Sequence, residues 1–189
     1  IDPDIIRNSL NSYTGAGRRF EYLGDFNPST SSGQVGAKIY SDFAHHPTEI
    51  KTTIEAAKQK FPKQRILLIY QPHMFSRTKA LFDDFVKVFQ NLPVDKTFIV
   101  DIYPSREKDT GLVNSQQLVD AINKPSVSHL RGGHTMTPRV KSEIREGDIV
   151  FFMGAGSIDQ VARDLVNNKC CTIYIVRHGE TDANLNHIV

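Results

Sequence analysis

The chain has no tryptophan, only three methionines and only two cysteines in 189 residues. Cys170 and Cys171 are adjacent, which gives neither the spacing of a zinc knuckle nor the geometry of a structural disulfide. They read as buried or linker thiols and suit a reducing compartment. No apolar run approaches the roughly 20 residues needed to cross a bilayer, and the opening IDPDIIRNSL lacks the basic and apolar regions of a signal peptide. The expectation is a cytoplasmic protein with no membrane partner. Charge of one sign is lacking too: 23 Lys and Arg stand against 21 Asp and Glu, scattered along the chain, so no nucleic-acid partner is expected. The phosphate-binding pattern GxxxxGK followed by Ser or Thr does not occur. The adjacent His45 and His46 fall at a helix entry, where their side chains do not converge, and no third ligand is spaced nearby; no metal site is expected.

What remains is an ordinary globular composition, 39% hydrophobic and 23% charged. From Gly17 onward, short apolar runs alternate with amphipathic stretches, the pattern of an α/β domain with a mostly parallel sheet. Six strands are expected at Arg19–Leu23, Ala37–Ser41, Arg65–Tyr70, Thr97–Ile102, Ser126–Leu130 and Asp148–Met153. Between Pro47 and Phe61, the apolar residues Ile50, Ile54, Ala57 and Phe61 fall on one helical face, and Pro47 suits the first helical position. A second helix is expected to open at Ser76 as its N-cap and to turn Leu81, Phe85 and Val88 inward. Further helices are expected around Ser115–Ile122, Pro138–Ile144 and Ser157–Asn167. The polar stretch NPSTSSGQVG, residues 27–36, reads as a loop.

Five segments then stand out: GAGRRFEYLG, DFAHHPTEI, QPHMFSRTKALFDDF, DIYPSREK and GDIVFFMGAGSI. Together, in this order and spacing, they resemble the C-terminal domain of the Mur ligases, and within that family its alanine-adding member. The resemblance covers residues 1–168 and implies a Rossmann-like three-layer fold. It also implies an ATP-dependent, amide-forming activity in peptidoglycan biosynthesis, with ATP and Mg2+ as cofactors and UDP-N-acetylmuramate and L-alanine as substrates. In that family the P-loop and magnesium ligands lie in a central domain and the UDP-sugar binds an N-terminal domain. The missing N-terminal and central domains are therefore the implied partners, and the chain is not expected to catalyse ligation alone.

The resemblance assigns roles residue by residue. Arg19 matches an arginine that approaches the ATP phosphates, a task suited to a planar, permanently charged fork. Asp42, at the end of a strand where open α/β sheets bind ligands, matches an aspartate near the ATP ribose. Taken by itself, Asp42 reads more readily as a cap of the loop before Pro47, and the resemblance reverses that preference. His45 is placed on the ligand-facing side of the cleft, and Phe43 beside the substrate. His73 and Arg77 match residues that hold the carboxylate of the incoming alanine, and Arg77 has the plainer alternative of pairing with Asp83 or Asp84. Arg18 reads as structural, a solvated strand-end cation. Two positions depart from the family: Phe43 stands where Tyr is usual and Met74 where Arg is usual. These departures are the support for an alternative reading, a non-catalytic nucleotide or amino-acid binding module. The glycines of GAGS, Gly154 to Ser157, follow a strand and open a helix, which suits an anion or, equally, close helix–sheet packing.

After Asn167 the pattern restarts. IYIVRHGETDAN resembles the first strand and phosphate loop of histidine phosphatases, which implies His178 as nucleophile and Arg177 and Asn184 as phosphate contacts. Residues 169–189 are thus expected to be the truncated start of a second domain, a fusion partner with no activity of its own in this chain.

Overall fold

The computed structural model of the chain describes residues 2–11, 16–27, 36–109, 111–132 and 136–167. The expected boundary near residues 167–171, the tail with Arg177, His178 and Asn184, and most of the 27–36 loop lie outside them. Among the described residues, no helix is long and apolar enough to cross a membrane.

Six strands, β1 (Glu21–Phe26), β2 (Ala37–Asp42), β3 (Ile66–Tyr70), β4 (Lys96–Val100), β5 (Val127–Leu130) and β6 (Ile149–Met153), form one sheet in the order β1-β2-β6-β3-β4-β5. Only β1 runs antiparallel, to β2; all other pairs are parallel. Strands β3 and β6 are buried along their whole length, as central parallel strands with helices on both faces must be.

The side-chain period of two divides the core. Ile66, Leu68 and Tyr70 of β3, with Phe151 and Met153 of β6, face α2 (Pro47–Lys60), α4 (Phe82–Asn91) and α5 (Ser115–Ile122). Leu67 and Ile69, with Val150 and Phe152, face α6 (Met136–Glu143) and α7 (Ile158–Val166). This is the expected three-layer arrangement. Each fully buried Leu, Ile or Phe in these layers contributes about 1.5–3 kcal/mol relative to exposure.

Helix α2 begins as expected. His46 is its N-cap, accepting from the Thr48 N–H at 3.3 Å, Pro47 opens it, and Glu49 returns to the His46 N–H at 3.2 Å to complete a capping box. The second helical region departs from expectation. Met74, not Ser76, is the N-cap of α3 (Phe75–Ala80), with no side-chain cap bond, and a break at Leu81 separates α3 from α4. Phe85 and Phe89 are the fully buried residues of α4, whereas Leu81 and Val88 are half-buried. One short helix, α1 (Pro3–Asn11), was not foreseen.

The first strand begins two residues later than expected because Arg18 and Phe20 adopt φ of 57° and 49°. Such a backbone is costly for a bulky residue and persists only when its surroundings hold it. The Phe20 ring supplies that hold, lying 5.3 Å from Tyr40 and 5.1 Å from Phe151. Arg163 of α7 adds an ion pair to Glu21 at 2.9 Å, and Glu21 also accepts from the Arg18 N–H at 2.7 Å.

Candidate functional site

Strands β2 and β6 are neighbours, yet the chain leaves β2 toward the α2 face and β6 toward the α7 face. A crevice at the carboxyl ends of the strands is the consequence. Backbone bonds beyond the ladders close its floor, from Gly154 N to Asp42 O at 3.0 Å and from Gln71 N to Met153 O at 2.9 Å.

Asp42, 3% exposed, uses both carboxylate oxygens within the protein. Oδ2 accepts from the Phe20 N–H and Oδ1 from the Ala44 N–H, each at 2.7 Å. Burial raises its pKa above the ordinary 3.8, against the pull of those two N–H groups and of Arg19. The carboxylate is a bracket joining the entry of β1 to the exit of β2. That is the loop-capping alternative open in the sequence.

A row of rings crosses the mouth of the crevice. The Phe43 ring lies 4.8 Å from the Arg18 guanidinium and 5.6 Å from that of Arg19, and 5.3 Å from His45. His45 is 5.6 Å from His73, and His73 stacks at 5.8 Å and 16° on Tyr103, which follows β4. The His45 ring is fixed by a 2.9 Å contact from Nδ1 to the Phe43 carbonyl, with Glu49 at 3.6 Å. Burial works to raise the Glu49 pKa, but the N–H groups of His45 and His46, the His45 ring and Arg19 outweigh it and hold the carboxylate below its usual range.

His73 and Arg77 meet directly, Nη1 of Arg77 lying 3.4 Å from Nδ1 of His73. Burial lowers the His73 pKa below 6.5, and the neighbouring His45 and Arg77 lower it further. Among the described residues, the side-chain partner of Arg77 is His73 rather than Asp83 or Asp84. Between them Met74 holds φ 70°, tied by its N–H to the Tyr103 carbonyl at 2.9 Å. Four of the five non-glycine residues with positive φ among the described residues, Arg18, Phe20, Met74 and Ser105, lie in the segments around this crevice. Strain of this kind gathers where function fixes the backbone.

The GAGS turn is built for packing. A Cβ on Gly154, at φ 150°, would meet the Gln71 carbonyl at 2.7 Å, and one on Gly156 would lie 2.8 Å from the Cβ of Tyr103. The Gln71 side chain, nearly buried, accepts from the Ile158 N–H at 3.1 Å and donates to Ser157 Oγ at 3.3 Å. The first amide of α7 therefore has a partner within the protein. Arg18 is structural, though part-buried rather than a solvated strand-end cation: it donates to the Gly154 carbonyl at 2.6 Å and lies 3.7 Å from Asp159. Arg19 is different, half-exposed at 52% with a long 3.7 Å ion pair to Glu49.

A family model described as Mur ligase, glutamate ligase domain, matches residues 18–156. The chain belongs to the Mur ligase family. It is 42% identical over 170 residues to a UDP-N-acetylmuramate–L-alanine ligase of Alkaliphilus metalliredigens, covering 89% of this chain and 35% of that protein. It is also 42% identical over 160 residues to the enzyme of the same name from Clostridium tetani, covering 84% and 33%. Among solved structures, the UDP-N-acetylmuramate-alanine ligase of Thermotoga maritima superimposes with a TM-score of 0.63 at 22% identity, covering 89% of this chain and 33% of that one. A folylpolyglutamate synthase of the same organism gives 0.55 at 15% identity, covering 88% and 34%. The structural likenesses speak to fold. The chain spans about a third of the length of the relatives it matches.

In this Mur ligase domain the expected site residues Arg19, Asp42, Phe43, His45, His73 and Arg77 all fall at one end of the sheet, where the parallel strands β2 and β3 finish and the antiparallel β1 begins. The arrangement fits a phosphate group at the half-exposed Arg19 guanidinium. It offers a ribose less, because both Asp42 oxygens already accept backbone donors. Among the described residues no group of three His, Cys, Asp or Glu side chains converges on one point. Two residues without a role in the sequence reading belong to the site: Tyr103, stacked on His73, and Glu107, bonded to Ser76. Both lie in DIYPSREK, a segment the sequence had marked without showing what it touches.

Proposed function

We propose that this chain is the C-terminal domain of an ATP-dependent UDP-N-acetylmuramate:L-alanine ligase of peptidoglycan biosynthesis, inactive without its N-terminal and central domains. The observation that carries the reading is the His73–Arg77 pair at the crevice, in a chain 42% identical to ligases of that name. An amino acid must present its carboxylate to a receptor and leave its amine free. Arg77 supplies the charge and fork for the carboxylate, and His73 supplies a donor at Nε2 with no second positive charge. Arg19 extends toward the phosphate side, with the Phe43 ring and His45 between the two ends. ATP supplies the phosphoryl group that activates the muramyl carboxylate, with magnesium held outside this chain. Asp42 fixes the backbone carrying Arg19; its contact with the ribose belongs to the same proposal.

Two departures from the family, Phe43 and Met74, favour the second reading of a binding module without ligase activity. Phosphate release from ATP by the full protein, with UDP-N-acetylmuramate and magnesium, separates the two. Release that requires L-alanine supports the ligase; no release from folded protein supports the binding module.

For residues 169–189 the proposal is the start of a histidine phosphatase-like domain, supported by IYIVRHGETDAN alone. His178 would be its nucleophile, with Arg177 and Asn184 as phosphate contacts. Phosphatase activity of a chain extended beyond Val189, lost in His178→Ala, would support it; an extended chain without activity would oppose it.

A further inference from the structure

Helix α3 carries Arg77 but starts poorly. Its N-cap, Met74, has a strained backbone and offers no side-chain acceptor. The first-turn amides must find acceptors elsewhere. One comes from a distant segment: Glu107 Oε2 accepts from the Ser76 N–H at 3.0 Å, and Oε1 accepts from the Ser76 hydroxyl in a short contact. These bonds hold the Glu107 carboxyl below its usual range, despite its exposure to solvent. The same segment holds the other side of the pocket. Tyr103 donates from its N–H to the Pro72 carbonyl at 2.8 Å, accepts from the Met74 N–H at 2.9 Å, and stacks on the His73 ring.

The loop after β4 thus clasps residues 72–76 at three points. Two belong to the Tyr103 backbone beside His73, and the third, Glu107, lies at the turn that leads to Arg77. Unlike the backbone contacts, the third depends on one side chain. We propose that Glu107 is a positioning residue for the amino-acid pocket, holding Ser76 so that Arg77 keeps its place against His73. The relevance to an amino acid rests on the ligase reading; the positioning itself does not. Glu107 borders an open groove with Lys79 and Lys108, so shortening it leaves no buried hole and the fold should survive.

The experiment has two arms. In this chain, the ring-nitrogen chemical shifts of His73 report its tautomer, which the Arg77 contact fixes. Glu107→Ala should lose that preference, while Glu107→Gln, whose amide can still bond both Ser76 groups, should keep it. In the full-length ligase, Glu107→Ala should raise the KM for L-alanine about fivefold, with the KM for ATP unchanged and most of the effect rescued by Glu107→Gln. A His73 tautomer unaltered in Glu107→Ala overturns the positioning role whatever the enzyme does. An altered tautomer with the KM values for L-alanine and ATP shifted together overturns the link to the amino-acid pocket. Wild-type protein without alanine-dependent phosphate release overturns the ligase reading, and the spectra still decide the positioning.

Discussion

Nη1 of Arg77 faces Nδ1 of His73 at 3.4 Å, and because a guanidinium has no acceptor, Nδ1 must offer its lone pair. The imidazole is therefore neutral, with its proton on Nε2. Burial, then His45 and Arg77, depress its pKa in the same sense.

The first prediction follows from that depression. Between the folded pKa and the ordinary 6.5, the unfolded chain takes up a proton that the folded chain refuses. Stability from the neutral ring is complete above about 6.5 and falls as the pH drops through that window. An NMR titration should place the His73 midpoint below 6.5, and His73→Gln should flatten the acid side of the stability profile. A midpoint above the ordinary value would contradict the account.

Asp42 is predicted to matter to the fold before it matters to any ligand. Asp42→Ala strands the N–H groups of Phe20 and Ala44 and should cost about 2–4 kcal/mol. Urea unfolding measures this directly. A loss below about 0.5 kcal/mol, the scale of ordinary surface changes, would show that the bracket carries nothing.

Gly156 is predicted to be sterically bound to Tyr103. A methyl group there collides with the Gln71 side-chain oxygen as well as with the Tyr103 side chain and should destabilise the domain by about 1–3 kcal/mol. If the collisions are the cause, Tyr103→Ala, which removes the ring but keeps the Cβ and leaves Gln71 in place, should remove part of the penalty in the double variant. Additive losses in a double-mutant cycle would exclude that explanation.

Much of the fold could be read from the sequence because the sheet obeys a local rule. Every strand from β2 to β6 begins within one residue of its expected place; β3 and β6 are continuous apolar runs, and the others are short apolar or β-branched stretches beside turn residues. The first strand slipped because Arg18 and Phe20 leave the extended region, and what holds them is tertiary: the Phe20 ring between Tyr40 and Phe151, and Asp42 on its amide. Ser76 was misread for a similar reason. It has the chemistry of an N-cap, but its acceptor comes from Glu107, 31 residues away. The site residues came from motif resemblance, and the structure brings six of them to one end of the sheet. The contacts among them, including the neutral His73 and the engaged Asp42, depend on burial and distance, which no linear pattern contains.

The central claim is that this domain carries an amino-acid carboxylate receptor at His73 and Arg77. The most direct measurement is the KM for L-alanine in the full-length protein with Arg77→Ala, alongside the KM values for ATP and UDP-N-acetylmuramate. The account predicts a rise of about a hundredfold for alanine, the scale of losing a charge-assisted bidentate contact, with the other two unchanged. An alanine KM that stays put, or three values that rise together, would contradict it.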